Sequence, residues 1–275
     1  MDLKKVNVLG NELENWLKMR VHPVAVKMLE NENEIPKEAV IPTRDWKHKY
    51  AFCQTIARSQ RHGDTIAMFK EDHWCFEPVV GLGLVEFPNS FANGSHRYPD
   101  SVRNLEAASR WGKNMPRFPF GKYQGVVTAP VNSCHFMPDI LLMHINGLMA
   151  TMLMIIKNWI DGKDLNCQLS GHAACVYAVV PSILSKECHF SFPCMGDRRL
   201  AFAQDDEIIF SMPINQLPDF IEGIHFLQGK KWGLPILTEL KEEYSLKPKY
   251  KEEGQKLGLN LTPSPPRPEK LQEGF

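Results

Sequence analysis

The longest apolar stretch of the chain is the feature that most constrains its fold. Residues 140–160 read ILLMHINGLMATMLMIIKNWI, and about 20 residues is the length that a membrane-spanning helix needs. His144, Asn146, Lys157 and Asn158 interrupt this stretch. Because polar groups are costly inside lipid, the sequence predicts segments buried in a protein core rather than a membrane span.

Short β-type runs mixed with helical patterns predict the α+β class, with a mixed sheet and packed helices. Strands are expected at residues 24–29, 79–87, 124–130, 139–144, 189–192 and 207–213. Helices are expected at residues 11–20, 52–60, 101–111, 147–159 and 215–227, with another opening near residue 175. The elements do not alternate strictly, so a doubly wound parallel sheet is not expected.

A change in composition near residue 230 predicts two parts. Residues 1–229 are expected to form a single large domain, and residues 230–275 a charged, proline-rich extension. Four prolines within residues 263–268 favour an extended polyproline-type segment. Such a segment either binds a partner, including a second copy of the chain, or lies along a surface.

The charge balance excludes some classes of partner. The chain has 32 Lys and Arg against 32 Asp and Glu, so its formal net charge is zero. A neutral chain has no global field to hold nucleic acid, and a small-molecule substrate is expected instead. The N-terminal residues lack the apolar core and cleavage site of a signal peptide. The sequence therefore predicts a cytoplasmic protein that binds neither nucleic acid nor membrane.

Seven cysteines, an odd number with irregular spacing, indicate free thiols in a reducing compartment. None forms the C-x-x-C pair that signals zinc, and no ferredoxin-type run occurs. Cys134, Cys167 and Cys188 have ordinary surroundings, in which a cysteine is usually a small buried apolar residue.

The other four cysteines have distinctive local sequences. Cys53 and Cys175 each open a helical pattern, Cys75 precedes a glycine-containing apolar run, and Cys194 lies in a turn-like stretch. A helix N-terminus favours the thiolate, so the sequence predicts a lowered pKa for Cys53, with Arg58 acting in the same direction.

Several short motifs occur in a fixed order over roughly residues 10–228. They are Cys53-Gln54 with Ala57-Arg58, Cys75 before Gly81-Leu82-Gly83-Leu84, Pro138-Asp139, Gly171 with Cys175, Cys194-Met195-Gly196-Asp197-Arg198, and a strand ending at Pro213. In this order they resemble the domain-of-unknown-function family numbered one hundred and sixty-nine, also called an archaeal conserved region.

The resemblance implies a protein of strictly anaerobic metabolism in which Cys53, Cys75, Cys175 and Cys194 are the family-type cysteines. Four thiolates suit a [4Fe–4S] cluster, and they also suit a structural zinc site. Residues 88–123 and the tail beyond residue 230 depart from the family pattern. These parts are expected to adapt a common scaffold to a particular substrate.

Three polar residues near these cysteines are candidates for catalysis. His172, three residues before Cys175, is a candidate proton donor or metal ligand. Arg198 could bind a carboxylate or phosphate in a bidentate fork with Asp197 orienting it, or the two could form an ion pair within a turn.

Aromatic and basic side chains are interspersed over residues 110–123, which suggests a clamp for an anionic aromatic substrate. The Gly81-x-Gly83 run lacks the third glycine of a dinucleotide site, and neither a P-loop nor a serine hydrolase motif is present. Methionines near residues 143–154 are predicted to fill the core.

Three hypotheses of function remain at this point. The first is an iron–sulfur enzyme of reductase or lyase type acting on a small, aromatic or anionic substrate. The second is a non-catalytic carrier that binds zinc or haem. The third is a metal-free lyase or hydrolase that uses a cysteine thiolate. A homo-oligomer formed through the C-terminal extension is compatible with each of them.

Overall fold

A computed structural model of the chain describes residues 1–229 and 248–259. Its six strands are β1 (Val24–Leu29), β2 (Ile66–Phe69), β3 (Gly125–Pro130), β4 (Ile140–Ile145), β5 (His189–Ser191) and β6 (Ile208–Pro213). They form one sheet in the order β2-β3-β1-β4-β6-β5, and every strand pair in it is antiparallel.

The helices within residues 1–229 are α1 (Leu3–Leu17), α2 (Phe52–His62), α3 (Phe76–Gly81), α4 (Asn89–Asn93), α5 (Leu105–Asn114), α6 (Gly147–Asp161), α7 (Ala174–Ser185), α8 (Met195–Leu200) and α9 (Leu217–Gly229). Short 3₁₀ turns occur at Glu32–Glu34, Lys70–Asp72 and Ile214–Gln216, and a π-type turn at Pro42–Trp46.

The sheet is covered on both faces because its strands alternate two apolar sets. In β1, Ala25 and Leu29 join the core that also contains residues of α1, α6 and α9. Val24, Val26 and Met28 join the opposite core, which contains residues of α2 and α7. The domain is therefore a sheet between two helical layers, and the cysteines discussed below lie on the α2 and α7 side.

The α+β class is confirmed, although the sheet is antiparallel rather than mixed. Five of the six expected strands are present within one or two residues of their predicted bounds. The strand expected at residues 79–87 is wrong, because its first part ends α3 and the rest is a turn. β2 was not predicted, since four residues carry too little pattern.

The two glycines of this mispredicted run lie where neighbouring segments approach closely. Gly83 has a φ of +69°, and a Cβ there would lie 2.7 Å from the carbonyl oxygen of Pro119. A Cβ on Gly81 would lie 2.4 Å from Cγ1 of Val176, so Gly81 lets α3 pack directly on α7. This contact places the end of the short helix α3 against the start of α7.

The long apolar stretch divides at Asn146, whose side chain accepts a hydrogen bond from the Met149 amide at 3.0 Å and caps α6. The part before Asn146 is β4 and the part after it is α6. Met143 and Met152 are buried in the core, as predicted. Within residues 1–229 and 248–259, no helix has the length and apolar character to cross a membrane.

The contacts divide the chain into two units, residues 1–234 and 235–275. In the second unit the structure describes one helix, α10 (Pro248–Lys256). The predicted polyproline-type segment at residues 263–268 lies outside the described residues.

One buried histidine makes the stability of this domain depend on pH. His144 in β4 is 7% exposed, and its Nδ1 atom has no hydrogen-bond partner within residues 1–229 and 248–259. Burial, with a smaller contribution from the charge of Arg61, lowers its pKa to about 4. Arg20, Asp206 and Glu207 line the small cavity beside it. Between pH of about 6.5 and 4 the unfolded chain therefore binds a proton that folded His144 does not.

We expect folding stability to fall as the pH falls through this window, with His144 accounting for roughly 3 kcal/mol of the loss. Urea unfolding at several pH values from 7.5 to 4 measures it. A His144→Leu variant should lose this share of the pH dependence. His62→Leu, at the exposed end of α2, should keep the wild-type slope, and equal slopes for all three proteins would contradict the prediction.

Candidate cysteine site

Four cysteines from distant parts of the chain line one cavity. Cys53, Cys75, Cys175 and Cys194 all contribute to a cavity of about 380 Å³ on the α2 and α7 side of the sheet. This volume lies within the range of small-molecule sites. The set of four that the sequence singled out is therefore brought together by the fold.

Each of the four cysteines stands at the beginning of a helix. Cys53 and Cys175 are the second residues of α2 and α7, and Cys75 and Cys194 immediately precede α3 and α8. The packing of α2 on α8 and of α3 on α7 brings these beginnings together. Because α2 and α7 are fixed to the sheet through the core, the sheet determines where the four thiols lie.

Gln54 links two of these helix starts. Its Oε1 atom accepts a hydrogen bond from the Ala51 amide at 2.9 Å and another from the indole Nε1 of Trp74 at 3.0 Å. The first bond caps α2, and the second holds the segment that carries Cys75 against it. The role of Gln54 next to Cys53 is therefore structural: it joins the start of α2 to the segment that carries Cys75.

Ala173 shows backbone strain beside the cavity. It precedes α7 with a φ of +53°, the left-handed region that residues with a Cβ rarely adopt, and it lines the cavity. The strained turn directs the chain from His172 into α7, so that His172 and Cys175 border the same space.

Burial raises the pKa of all four thiols. The predicted lowering for Cys53 is wrong, because loss of solvation outweighs the helix N-terminus. Burial also raises the pKa values of Cys75 and Cys175, and it raises that of Cys194 to about 11. Mutual repulsion adds to the effect, since negative charge on any of these groups would raise the pKa of Cys175. Without a compensating cation the cavity therefore favours neutral thiols.

Arg58 does not act on Cys53 as expected. Its guanidinium is 2.6 Å from the Asp64 carboxylate and lies over the Trp46 ring at 4.2 Å. Arg58 therefore has a structural role, in which it pairs with Asp64 and packs on Trp46.

Asp197 and Arg198 do not form the anion-binding pair suggested by the sequence. The Asp197 carboxylate accepts hydrogen bonds from the Cys194 amide at 3.0 Å and from the Cys194 thiol at 2.8 Å. Arg198 is directed elsewhere, donating to the Gln204 carbonyl at 2.7 Å and lying 3.6 Å from Asp205. Asp197 lines the cavity and orients Cys194, whereas Arg198 is not among the lining residues and stabilises a turn.

The sequence analysis missed an ion pair in the cavity wall. Glu77, two residues after Cys75, pairs with Arg97, and the other Glu77 oxygen accepts a hydrogen bond from the Cys75 thiol at 3.1 Å. The Glu77 side chain is only 6% exposed, and the Arg97 side chain is 19% exposed. The position of Glu77, two residues after Cys75, could have marked it as a candidate site residue. No feature of the sequence, however, indicated that its partner is Arg97.

Residues 88–123 reach the cavity through Arg97 rather than through the predicted clamp. Arg97 lies over the Trp111 ring at 5.3 Å, and Trp111 makes an edge contact with His172 at 5.7 Å. Arg110 instead pairs with Glu106 at the surface, and Arg117 stacks on Phe87 at 4.1 Å. Residues 88–123 therefore contribute one basic side chain, Arg97, and the aromatic ring of Trp111 that supports it.

The three remaining cysteines lie elsewhere. Cys134 and Cys188 are buried in the opposite core, and the Cys167 sulfur accepts a hydrogen bond from the Phe190 amide at 3.2 Å. Within the described ranges 1–229 and 248–259, no three His, Cys, Asp or Glu side chains are grouped as ligands of one metal ion.

Comparison with known proteins identifies the family. A family model described as "Uncharacterised ArCR", DUF169, matches residues 12–223. The chain belongs to the DUF169 family. An uncharacterized protein of Methanocaldococcus jannaschii is 23% identical to it over 232 residues, which cover 83% of this chain and 97% of that protein. No solved structure matches the chain.

The DUF169 match spans all four cysteines of the cavity and every strand of the sheet. The motifs that suggested the family now have physical roles in this chain. Gln54 joins two helix starts, Gly81 allows α3 to approach α7, and Asp197 holds Cys194.

Proposed function

We propose that the cavity binds a [4Fe–4S] cluster through Cys53, Cys75, Cys175 and Cys194, in a cytoplasmic enzyme of anaerobic metabolism. The observation that carries the proposal is that these four cysteines, far apart in the chain, line one cavity while the other three described cysteines lie elsewhere. A cluster takes one thiolate per iron, so its ligands need not meet around a single ion.

The chemistry of the four thiols supports a cationic occupant. Burial and mutual repulsion raise their pKa values, so four neighbouring thiolates are unfavourable without positive charge between them. Bound iron supplies that charge and deprotonates coordinating thiols. The same raised pKa values disfavour the metal-free hypothesis, because a nucleophilic cysteine needs its thiolate near neutral pH.

The surrounding residues suit a site that controls access. Phe52, Phe76 and Leu200 supply apolar lining, which limits water around the sulfurs. Asp197 orients Cys194, and the Glu77–Arg97 pair forms one wall. When bound, a cluster held by all four cysteines supplies electron transfer, and it would supply Lewis acidity if one iron exchanged its cysteine for the substrate. We propose a reductase or lyase type of reaction on a small aromatic or anionic substrate.

The test is anaerobic purification or reconstitution, with analysis of iron, sulfide, absorption and electron paramagnetic resonance. We expect about four irons and four sulfides per chain, the stoichiometry of a [4Fe–4S] cluster. Single Ser substitutions at Cys53, Cys75, Cys175 and Cys194 should each lower the iron content or change the spectrum. Cys188→Ser, in the opposite core, is the matched control and should load as the wild type does.

Other outcomes would replace the proposal. Stoichiometric zinc in a colourless protein, lost in the four variants, would assign a structural metal site. A sharp Soret band would assign haem. Folded, anaerobically handled protein that binds neither iron nor sulfide would contradict the cluster.

A further inference from the structure

A second cavity lies against the cysteine cavity and shares a wall with it. Its volume is about 470 Å³, within the range of small-molecule sites. Trp74, Cys75 and Phe76 line both cavities, so this three-residue segment separates them. Any molecule in the second cavity would therefore lie beside one of the four proposed cluster ligands.

The walls of this cavity are apolar and aromatic. Val79, Val80 and Val85 contribute aliphatic surface, and Phe76 meets Phe91 edge-on with ring centroids 6.0 Å apart. Trp74 is half exposed at the shared segment. Flat apolar groups favour such surroundings, because aromatic rings pack by edge and offset contacts.

The few polar groups of the cavity have unused bonding capacity. His73 is only 5% exposed, and neither of its ring nitrogens has a hydrogen-bond partner among the residues that the structure describes. His96 stacks on Phe91 at 3.9 Å, and its Nε2 atom likewise has no hydrogen-bond partner in the described part of the chain. A buried polar group without a partner is costly, so two imidazoles in this state at one cavity are explained by a ligand that bonds to them.

The charge at the cavity is positive. Lys70 is exposed and lines the cavity, and its ammonium has no ion-pair partner within residues 1–229 or 248–259. The nearby Asp72 carboxylate is already engaged, since it accepts hydrogen bonds from the Thr43 hydroxyl at 2.6 Å and the Phe69 amide at 2.8 Å. A carboxylate on the ligand would therefore find an available cation.

We infer that this cavity binds a small aromatic carboxylate, with its ring among Phe76, Phe91 and Trp74 and its carboxylate toward Lys70. The imidazoles of His73 and His96 bond to a polar substituent of the ring or to the carboxylate. The inference deepens the proposed function and rests on it only where it makes the ligand a substrate of the cluster. Binding itself requires no cluster.

Another cavity of the domain provides an internal comparison. It has a volume of about 480 Å³ and is lined mainly by residues of α6 and β5, and its described lining residues include no charged side chain and no histidine. Its size is nearly the same, but its lining offers a carboxylate only neutral hydroxyl and amide donors, at Thr151, Asn158 and Ser191. The inference therefore predicts which of two similar cavities an aromatic acid occupies.

The experiment is calorimetric titration of the full chain with 4-hydroxybenzoate, in both cluster-loaded and metal-free forms. 4-Hydroxybenzamide is the control compound without the negative charge, and cyclohexanecarboxylate is the control compound without the aromatic ring. We expect 4-hydroxybenzoate to bind more tightly than either control compound. Lys70→Gln should weaken its binding about tenfold, since hydrogen bonds to charged groups are the stronger ones.

Two steric variants locate the ligand. Val79→Trp fills the proposed cavity and should abolish binding, whereas Thr151→Trp fills the comparison cavity and should leave binding within about twofold. Lys4→Gln on α1 is the charge control and should also bind normally. Circular dichroism confirms that each variant is folded.

The results separate this inference from the cluster proposal. Binding by metal-free protein, in a chain that takes up no iron, would uphold the cavity and contradict the cluster. A loaded chain that binds no 4-hydroxybenzoate at millimolar concentration would overturn the inference alone. Equal binding of the acid and the amide, or loss of binding in Thr151→Trp but not in Val79→Trp, would also overturn it.

Discussion

Replacing Arg97 with leucine is expected to lower the free energy of unfolding by about 3–5 kcal/mol. The variant leaves the Glu77 carboxylate in the cavity wall without its cation, and that side chain is only 6% exposed. An uncompensated buried charge costs more than the ion pair itself contributes. Urea or thermal unfolding at neutral pH measures the loss.

Two further variants test the cause of this loss. In the double variant Arg97→Leu with Glu77→Leu, both charges are absent, and most of the lost stability should return. Arg44→Leu removes the exposed partner of Asp45, a pair separated by 2.8 Å, and should change stability far less than Arg97→Leu does, because solvent screens an exposed ion pair. If Arg97→Leu and Arg44→Leu had equal effects, the ion pair in the cavity wall would not be the cause.

Replacing Gly94 with alanine is expected to destabilise the domain by about 2–5 kcal/mol. Gly94 ends α4 with a φ of +85°, and a Cβ there would lie 2.4 Å from the Leu105 carbonyl oxygen and 2.6 Å from the Ser109 nitrogen. Both contacts are with the backbone of α5, which cannot rotate away. Because the Gly94 carbonyl accepts a hydrogen bond from the Arg97 amide at 3.2 Å, the variant should also displace Arg97 from the cavity.

Gly63 is the matched control for this substitution. It ends α2 with a φ of +80°, but a Cβ at this position would meet no atom of the described residues within 4 Å. Gly63→Ala therefore adds only the conformational penalty, about 1–2 kcal/mol. Chemical unfolding of both variants isolates the steric part as their difference, and equal losses would show that the approach of α4 to α5 is not tight.

The sequence predicted most strands because their signal is local. Apolar runs of β-rich residues bounded by turn signals identified β1, β3, β4, β5 and β6. The error at residues 79–87 arose because a short apolar run has no period that separates strand from helix. Tertiary packing determined that the first part of this segment is helical, since Gly81 lets the helix pack against Val176.

For the candidate site, too, local sequence predicted some residues correctly and failed for others. Local sequence context identified four of the seven cysteines, and the fold placed those four at one cavity. Local context failed for Arg198, whose partners Gln204 and Asp205 form a turn that the motif does not reveal. It also failed for Arg97, whose partner Glu77 is 20 residues away in the chain.

The sequence by itself determined the α+β class, five of the six strands of the central sheet, the family and the choice of four cysteines that line one cavity. Only the tertiary structure decided the burial of their thiols and the ion pair beside them. It also decided the second cavity behind Cys75. The physical reason is that periodicity and capping act over a few residues, whereas desolvation and ion pairing depend on which distant elements pack together.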